Sequence, residues 1–155
     1  MTNLQEHGEY VAGRSQQTIM FAARGPWNDE TLVNGSKKMG QNIQQMNLSE
    51  PWGFISCLFG ESLMPPSAYK LFVKQTLIRK SMGMRCLAVV IQDSDITNTI
   101  MNQLTQAYQH ADINFAFLKD LNSAISWLKE HEIALDHQEV THFFQQNLFI
   151  RSHHN

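Results

Sequence analysis

The chain has 155 residues, 43% of them hydrophobic and 17% charged, with a formal net charge of −2. That length suits one domain with one core, and the composition suits a globular chain rather than a disordered one. The small acidic balance lacks the basic excess that general nucleic-acid binding usually shows, and no run of about 18 apolar residues is present to span a bilayer.

The first residues, Met1-Thr2-Asn3-Leu4-Gln5-Glu6, are polar and acidic and lack the basic-then-apolar pattern of a signal peptide, so a cytoplasmic setting is expected. Tyr10-Val11-Ala12 and Thr18-Ile19-Met20-Phe21-Ala22 read as two strands of a hairpin joined across Arg14-Ser15-Gln16-Gln17. Gly25-Pro26 stops the second strand, and Asn28 or Asp29 can cap a helix whose apolar stripe is Leu32, Met39, Ile43 and Met46. Gly35 and Gly40 weaken this helix by roughly 1 kcal/mol each relative to alanine, so it must depend on its packed face.

After Pro51, the run from Trp52 to Phe59 is apolar almost throughout, and so is the run from Cys86 to Ile91. Continuous rather than alternating hydrophobicity marks strands covered on both faces, the environment of a central parallel strand. Cys57 and Cys86 lie within these runs as small hydrophobes, and a cytosolic setting disfavours a disulfide between them. Between the runs, a helix is expected from about Ser67 to Met82 with Ala68, Leu71, Phe72, Gln75 and Ile78 at helical spacing and Gly83 as its exit. Asp93 or Ser94 caps a third helix carrying Ile96, Ile100, Leu104 and Tyr108. A last strand runs from Ile113 to Leu118, and Asp120 or Asn122 opens a fourth helix facing inward through Leu121, Ala124, Ile125 and Leu128.

These elements predict an α/β fold: a five-stranded, mostly parallel sheet with an N-terminal antiparallel hairpin strand. Right-handed crossovers between strands in sequence order place the four helices chiefly on one face. The opposite face then needs a cover. Residues 1–132 form the domain, and residues 133–155 form a C-terminal helical tail bearing Val140, Phe143, Phe144, Leu148, Phe149 and Ile150. The tail is expected to lie on the open sheet face or against a second subunit, making a homodimer.

Over about residues 8 to 130 the chain resembles the SpoIIAA-like family, the bacterial STAS/Sec14-type domains related in fold to anti-sigma-factor antagonists. The resemblance rests on the element order and on Pro26-Trp27-Asn28-Asp29 opening the first helix. Met84 to Val90 as the penultimate strand and Phe117 to Leu128 as the closing strand and helix complete it. It implies a non-enzymatic regulatory or interaction module, with a Sec14-like lipid carrier as the alternative. The antagonist branch carries a phosphorylated serine in an Asp-Ser-Ser-Gly or Asp-x-Ser-Gly setting at the helix after the third strand. Here that junction reads Phe59-Gly60-Glu61-Ser62-Leu63-Met64-Pro65-Pro66-Ser67-Ala68, and the motif is absent. Ser67 stands at the corresponding position, as a candidate phosphosite or simply as a helix N-cap.

Catalytic and metal motifs are not found. His131-Glu132 is followed by Leu135 where a second histidine ligand would be needed, and His137 and His142 are five apart, so no metal is expected. Gly35 and Gly40 have P-loop spacing, but Gln41-Asn42 replace the lysine and hydroxyl residue. Glu61, Ser62 and Tyr69 can share a pocket by sequence proximity alone. No acidic residue lies between Glu61 and Asp93, so Lys70, Lys74, Arg79, Lys80 and Arg85 form a local basic patch suited to an acidic partner, a phosphate or a peripheral membrane contact.

Binding sites in such sheets gather beyond the carboxyl ends of parallel strands, so the expected surface is the junction from Gly60 to Tyr69 and the helix after it. Glu61, Ser62, Met64, Ser67, Tyr69, Lys70, Phe72 and Lys74 are its residues. The expected occupant is a protein partner or a small apolar or anionic ligand, with no catalytic residue and no cofactor.

Overall fold

A computed structural model describes residues 8–147. Strand β1 (Glu9–Ser15) turns through Gln16-Gln17 into β2 (Thr18–Arg24), with Gln16 in the left-handed region at φ 51. Then follow α1 (Asp29–Ile43), β3 (Trp52–Phe59), α2 (Pro66–Ser81), β4 (Met84–Gln92), α3 (Thr97–His110), β5 (Phe115–Leu118), α4 (Leu121–Glu130) and α5 (His137–Gln146). The five strands lie in sequence order, β1 antiparallel to β2 and the remaining pairs parallel. The two apolar runs are therefore adjacent parallel strands, with Ile55 opposite Ala88 and Cys57 opposite Val90.

Every residue of β3 is buried, because alternate side chains enter two different cores. Ile19, Phe54, Leu58, Leu87 and Val89 point toward α1, α2 and α3, whereas Met20, Ile55, Cys57, Cys86 and Val90 point to the opposite side. That second core is closed by Ala124, Ile125 and Leu128 of α4 and by Val140 and Phe144 of α5. The expectation that α4 shares a face with the first three helices is corrected here. It follows the last strand, connects no further strand, and so is exempt from the handedness rule that fixes α1 to α3.

Helix α5 lies against β1 and β2, close enough that a Cβ on Gly13 would stand 2.8 Å from the Phe143 ring. Ile133 and Leu135 are buried in the same core, so the described residues 133–147 are part of the sandwich rather than an appendage. Leu148, Phe149 and Ile150 lie outside the described residues.

Local signals explain most helix ends. Asn28 caps α1 by accepting from the Thr31 N–H, and Asp120 caps α4 by accepting from Ser123 at 2.8 Å, which holds its carboxyl below the usual range. Gly83, at φ +100, supplies the left-handed exit from α2. Two caps differ from expectation. Helix α2 begins at Pro66 behind Pro65, with proline's fixed φ setting the first turn, so Ser67 is not its N-cap; the Ser67 hydroxyl donates to Asp29 at 2.9 Å instead. Helix α3 starts behind Ile96 with no side-chain cap: both expected caps fall before that position, Asp93 pairing with Arg24 at 2.9 Å and the Ser94 hydroxyl accepting from the Ile96 N–H at 3.1 Å. Among the described residues no helix is long and apolar enough to cross a membrane.

Candidate functional site

The inward face of α2 differs from the one its apolar residues suggest. Ala68, Gln75, Thr76 and Arg79 are buried, while Leu77 and Ile78 are 43% and 49% exposed. The inward stripe is Ala68, Phe72, Gln75 and Arg79, at i, i+4, i+7 and i+11, which is regular helical spacing carrying two polar residues. Gln75 is accommodated because its Nε2 donates to the Leu32 carbonyl at 3.1 Å, tying α2 to α1. Thr76 donates to the Phe72 carbonyl within its own helix.

Arg79 has no such partner. Only 6% of it is exposed, and among the described residues its guanidinium has neither a hydrogen bond nor an ion pair. Its contact is the Phe54 ring, whose centroid lies 5.7 Å away. Burial lowers its pKa to about 10, an effect that the nearby Tyr108 partly offsets, so it remains a cation at neutral pH. Burial likewise pushes the Tyr108 phenol up, with the Arg79 charge opposing, so that side chain stays protonated.

These groups face a cavity of about 50 Å³ between the sheet and the α1–α3 layer. Its walls are chiefly apolar: Leu32 and Met39 of α1, Phe54 and Leu58 of β3, Leu87 of β4 and Leu104 of α3. Its polar members are Thr31, Ser56, Gln75, Arg79 and Tyr108. Trp27 also lines it, with an indole N–H that is buried and unpartnered. Phe21, Leu32 and Phe72 are half-buried, so the wall they form is where the cavity approaches solvent. Four kinds of hydrogen-bonding group thus converge on a small apolar space, which is the general design of a small-molecule site.

The residues expected at the strand-to-helix junction do not form one surface. Ser62 is buried, its hydroxyl donating to the Phe59 carbonyl at 2.8 Å and accepting from the Gly25 N–H, which fixes the turn after β3. Met64 is buried, and its backbone is clamped by both ends of the Gln103 amide. Glu61 is exposed in an open depression with Arg24, Asp93 and Asp95, while Tyr69 and Lys70 line another with Gln106 and His110. Glu61 and Tyr69 thus line different depressions, and Ser62 lines neither. Lys74 is exposed one turn beyond Lys70, and Phe72 alone of the eight lines the cavity.

The basic patch also separates. Arg79 points inward, Lys80 pairs with Asp112 at 3.1 Å, and the Arg85 guanidinium donates to the His131 carbonyl at the end of α4. Sequence reasoning missed Arg79, Tyr108, Trp27 and Ser56 as lining groups. The detectable signal was the 68–72–75–79 spacing, which selects Arg79 over Ile78 as the next inward residue.

No protein-family model matches this sequence, and no curated protein does. In fold the chain is similar to the crystal structure of an uncharacterized protein of the DUF3478 family with a SpoIIAA-like fold from Shewanella loihica. The TM-score is 0.54 at 16% sequence identity, over 83% of this chain and 98% of that one. The fold of the chain is SpoIIAA-like, and the likeness spans nearly the whole of the other protein.

Proposed function

We propose that this SpoIIAA-like domain is a non-enzymatic binding module that receives a small, largely apolar molecule in the cavity beneath α1, α2 and α3. One observation carries the reading: a cation nine-tenths buried in an apolar wall with no partner of its own. A charge in that position is expensive to bury, so a fold keeps it where something else gains from it. The chemistry of the buried side chains supports binding over catalysis. Tyr108 stays protonated, and the buried thiols Cys57 and Cys86 point into the opposite core with pKa values pushed up to about 12 and about 11, so neither supplies a nucleophile. A lipid carrier of Sec14-like type needs far more room, since a cavity of ~150 Å³ is only enough for benzene. The present volume is about 50 Å³.

The test is a methyl NMR titration with 1-propanol and 1-butanol. Saturable shifts should fall on Leu32, Leu87 and Leu104. Shifts scattered over exposed methyls such as Leu77 and Ile78, with none at Leu32, Leu87 and Leu104, would remove the reading.

A second reading rests on the outward face of α2, where Lys70, Lys74, Leu77 and Ile78 are all exposed and the helix carries no acidic residue. Such a face suits an acidic protein partner. Charge reversal at Lys70 and Lys74 should then abolish partner capture while leaving alcohol binding intact.

A further inference from the structure

We infer that the cavity selects a short monocarboxylate, its carboxylate held by the Arg79 guanidinium and its carbon chain laid along the leucine-lined wall. This rests on the cavity reading above and adds the chemical class of the ligand. Three observations lead to it.

The first is charge. Arg79 is the one cation among the lining residues, and no acidic side chain lines the cavity. A single negative charge neutralises it, whereas a phosphate dianion would leave one charge uncompensated in an apolar enclosure, where that is costly. The second is shape. A guanidinium is a planar fork whose parallel N–H groups match a carboxylate in two simultaneous hydrogen bonds, and this one has all its donors free of protein partners. Tyr108 stands beside it with its hydroxyl proton retained, and can donate to the same anion. The third is size and wall chemistry. About 50 Å³, a third of the benzene-sized cavity, holds a carboxylate head group and a carbon or two, so a longer chain must leave past the half-buried wall of Phe21, Leu32 and Phe72, and Leu32, Leu58, Leu87 and Leu104 offer contact to a hydrocarbon chain but no hydrogen bond to a polar one. Together these exclude sugars, nucleotides and polyanions, which would desolvate polar groups against leucine.

The experiment is a calorimetric or NMR affinity series from acetate to hexanoate, with the matching primary alcohols and inorganic phosphate as comparisons, on the wild-type protein and on Arg79→Met and Arg79→Lys. The carboxylates should bind about 10- to 100-fold more tightly than their alcohols, the difference expected of charge-assisted hydrogen bonds. Arg79→Met should erase that difference, and Arg79→Lys should retain an intermediate preference because it keeps the charge and loses the fork. Equal binding of acids and alcohols, or a preference for phosphate, would overturn the carboxylate assignment and leave the cavity reading standing. Absence of binding by every member of both series would overturn both. Should Arg79→Met fail to fold, the comparison of Arg79→Lys with the wild type decides the matter: an unchanged acid-to-alcohol ratio would contradict the role given to the fork.

Discussion

Replacing Arg79 with methionine should make the unliganded protein more stable. The side chain is 6% exposed and unpaired, so the folded state carries the cost of desolvating a guanidinium without an anion to offset it. Substituting apolar residues of similar volume for buried ionic groups is often neutral or stabilising, by up to about 1–4 kcal/mol. Against this stands the loss of the contact with the Phe54 ring at 5.7 Å. Such contacts contribute about 0.5–2 kcal/mol. The net expectation is a gain of about 1–2 kcal/mol, or roughly 3–6 °C in Tm for a domain of this size. The sign of the pH dependence follows from the same burial. The pKa falls in the folded state to about 10, below the ordinary guanidinium value, so the cost is fully present below pH 10 and is relieved as pH rises above it. Thermal and urea denaturation in a buffer free of carboxylates measures the difference, with an unchanged urea m-value confirming that the compactness of the two states is preserved. A Tm lowered by more than about 3 °C would show that Arg79 supports the fold, and the reasoning that it is held for a ligand would fail.

Other outcomes follow from the same structure. Gly40→Ala should stabilise by about 0.5–1 kcal/mol in urea denaturation, since the new methyl meets nothing within 4 Å and the helix interior gains propensity. Phe144→Ala should cost roughly 3–5 kcal/mol, because α5 closes the second core; a loss below about 1 kcal/mol would mean that the helix is only loosely applied to the sheet. The thiols of Cys57 and Cys86, raised by burial to about 12 and about 11, should resist a disulfide reagent at pH 8 until the protein unfolds. Because the unfolded chain ionises those thiols first, stability should fall as pH climbs from about 9 toward 11, and Cys57→Ala with Cys86→Ala should flatten that fall.

The sheet was legible because its two central strands announce themselves. The runs ending at Phe59 and Ile91 are bounded by Pro51, Gly60, Gly83 and Asp93, and their unbroken hydrophobicity demands cover on both faces. The side taken by α4 was not legible, since a helix after the last strand has no crossover to constrain it. Caps were readable where a side chain does the capping, at Asn28 and Asp120, and unreadable where prolines or an ion pair intervene, at Ser67 and Asp93. The cavity was hidden for a different reason. Arginine is rarely buried, so a hydrophobic-periodicity reading turns α2 by almost a residue and places Ile78 inward. Leu77 and Ile78 in solvent and Arg79 in the wall are the reverse of the usual partition. Local rules tend to be broken in this way where a site is being served.

The central claim is that the Arg79 guanidinium is the anchor for an anion within the helix–sheet cavity. Its Nε–Hε resonance, assigned by its disappearance in Arg79→Lys, reports on that anchor directly. On titration with butyrate it should move downfield and saturate with the same Kd as the methyl shifts of Leu87 and Leu104, while 1-butanol moves the methyls alone. A resonance that stays fixed as the methyls saturate with butyrate would contradict the claim.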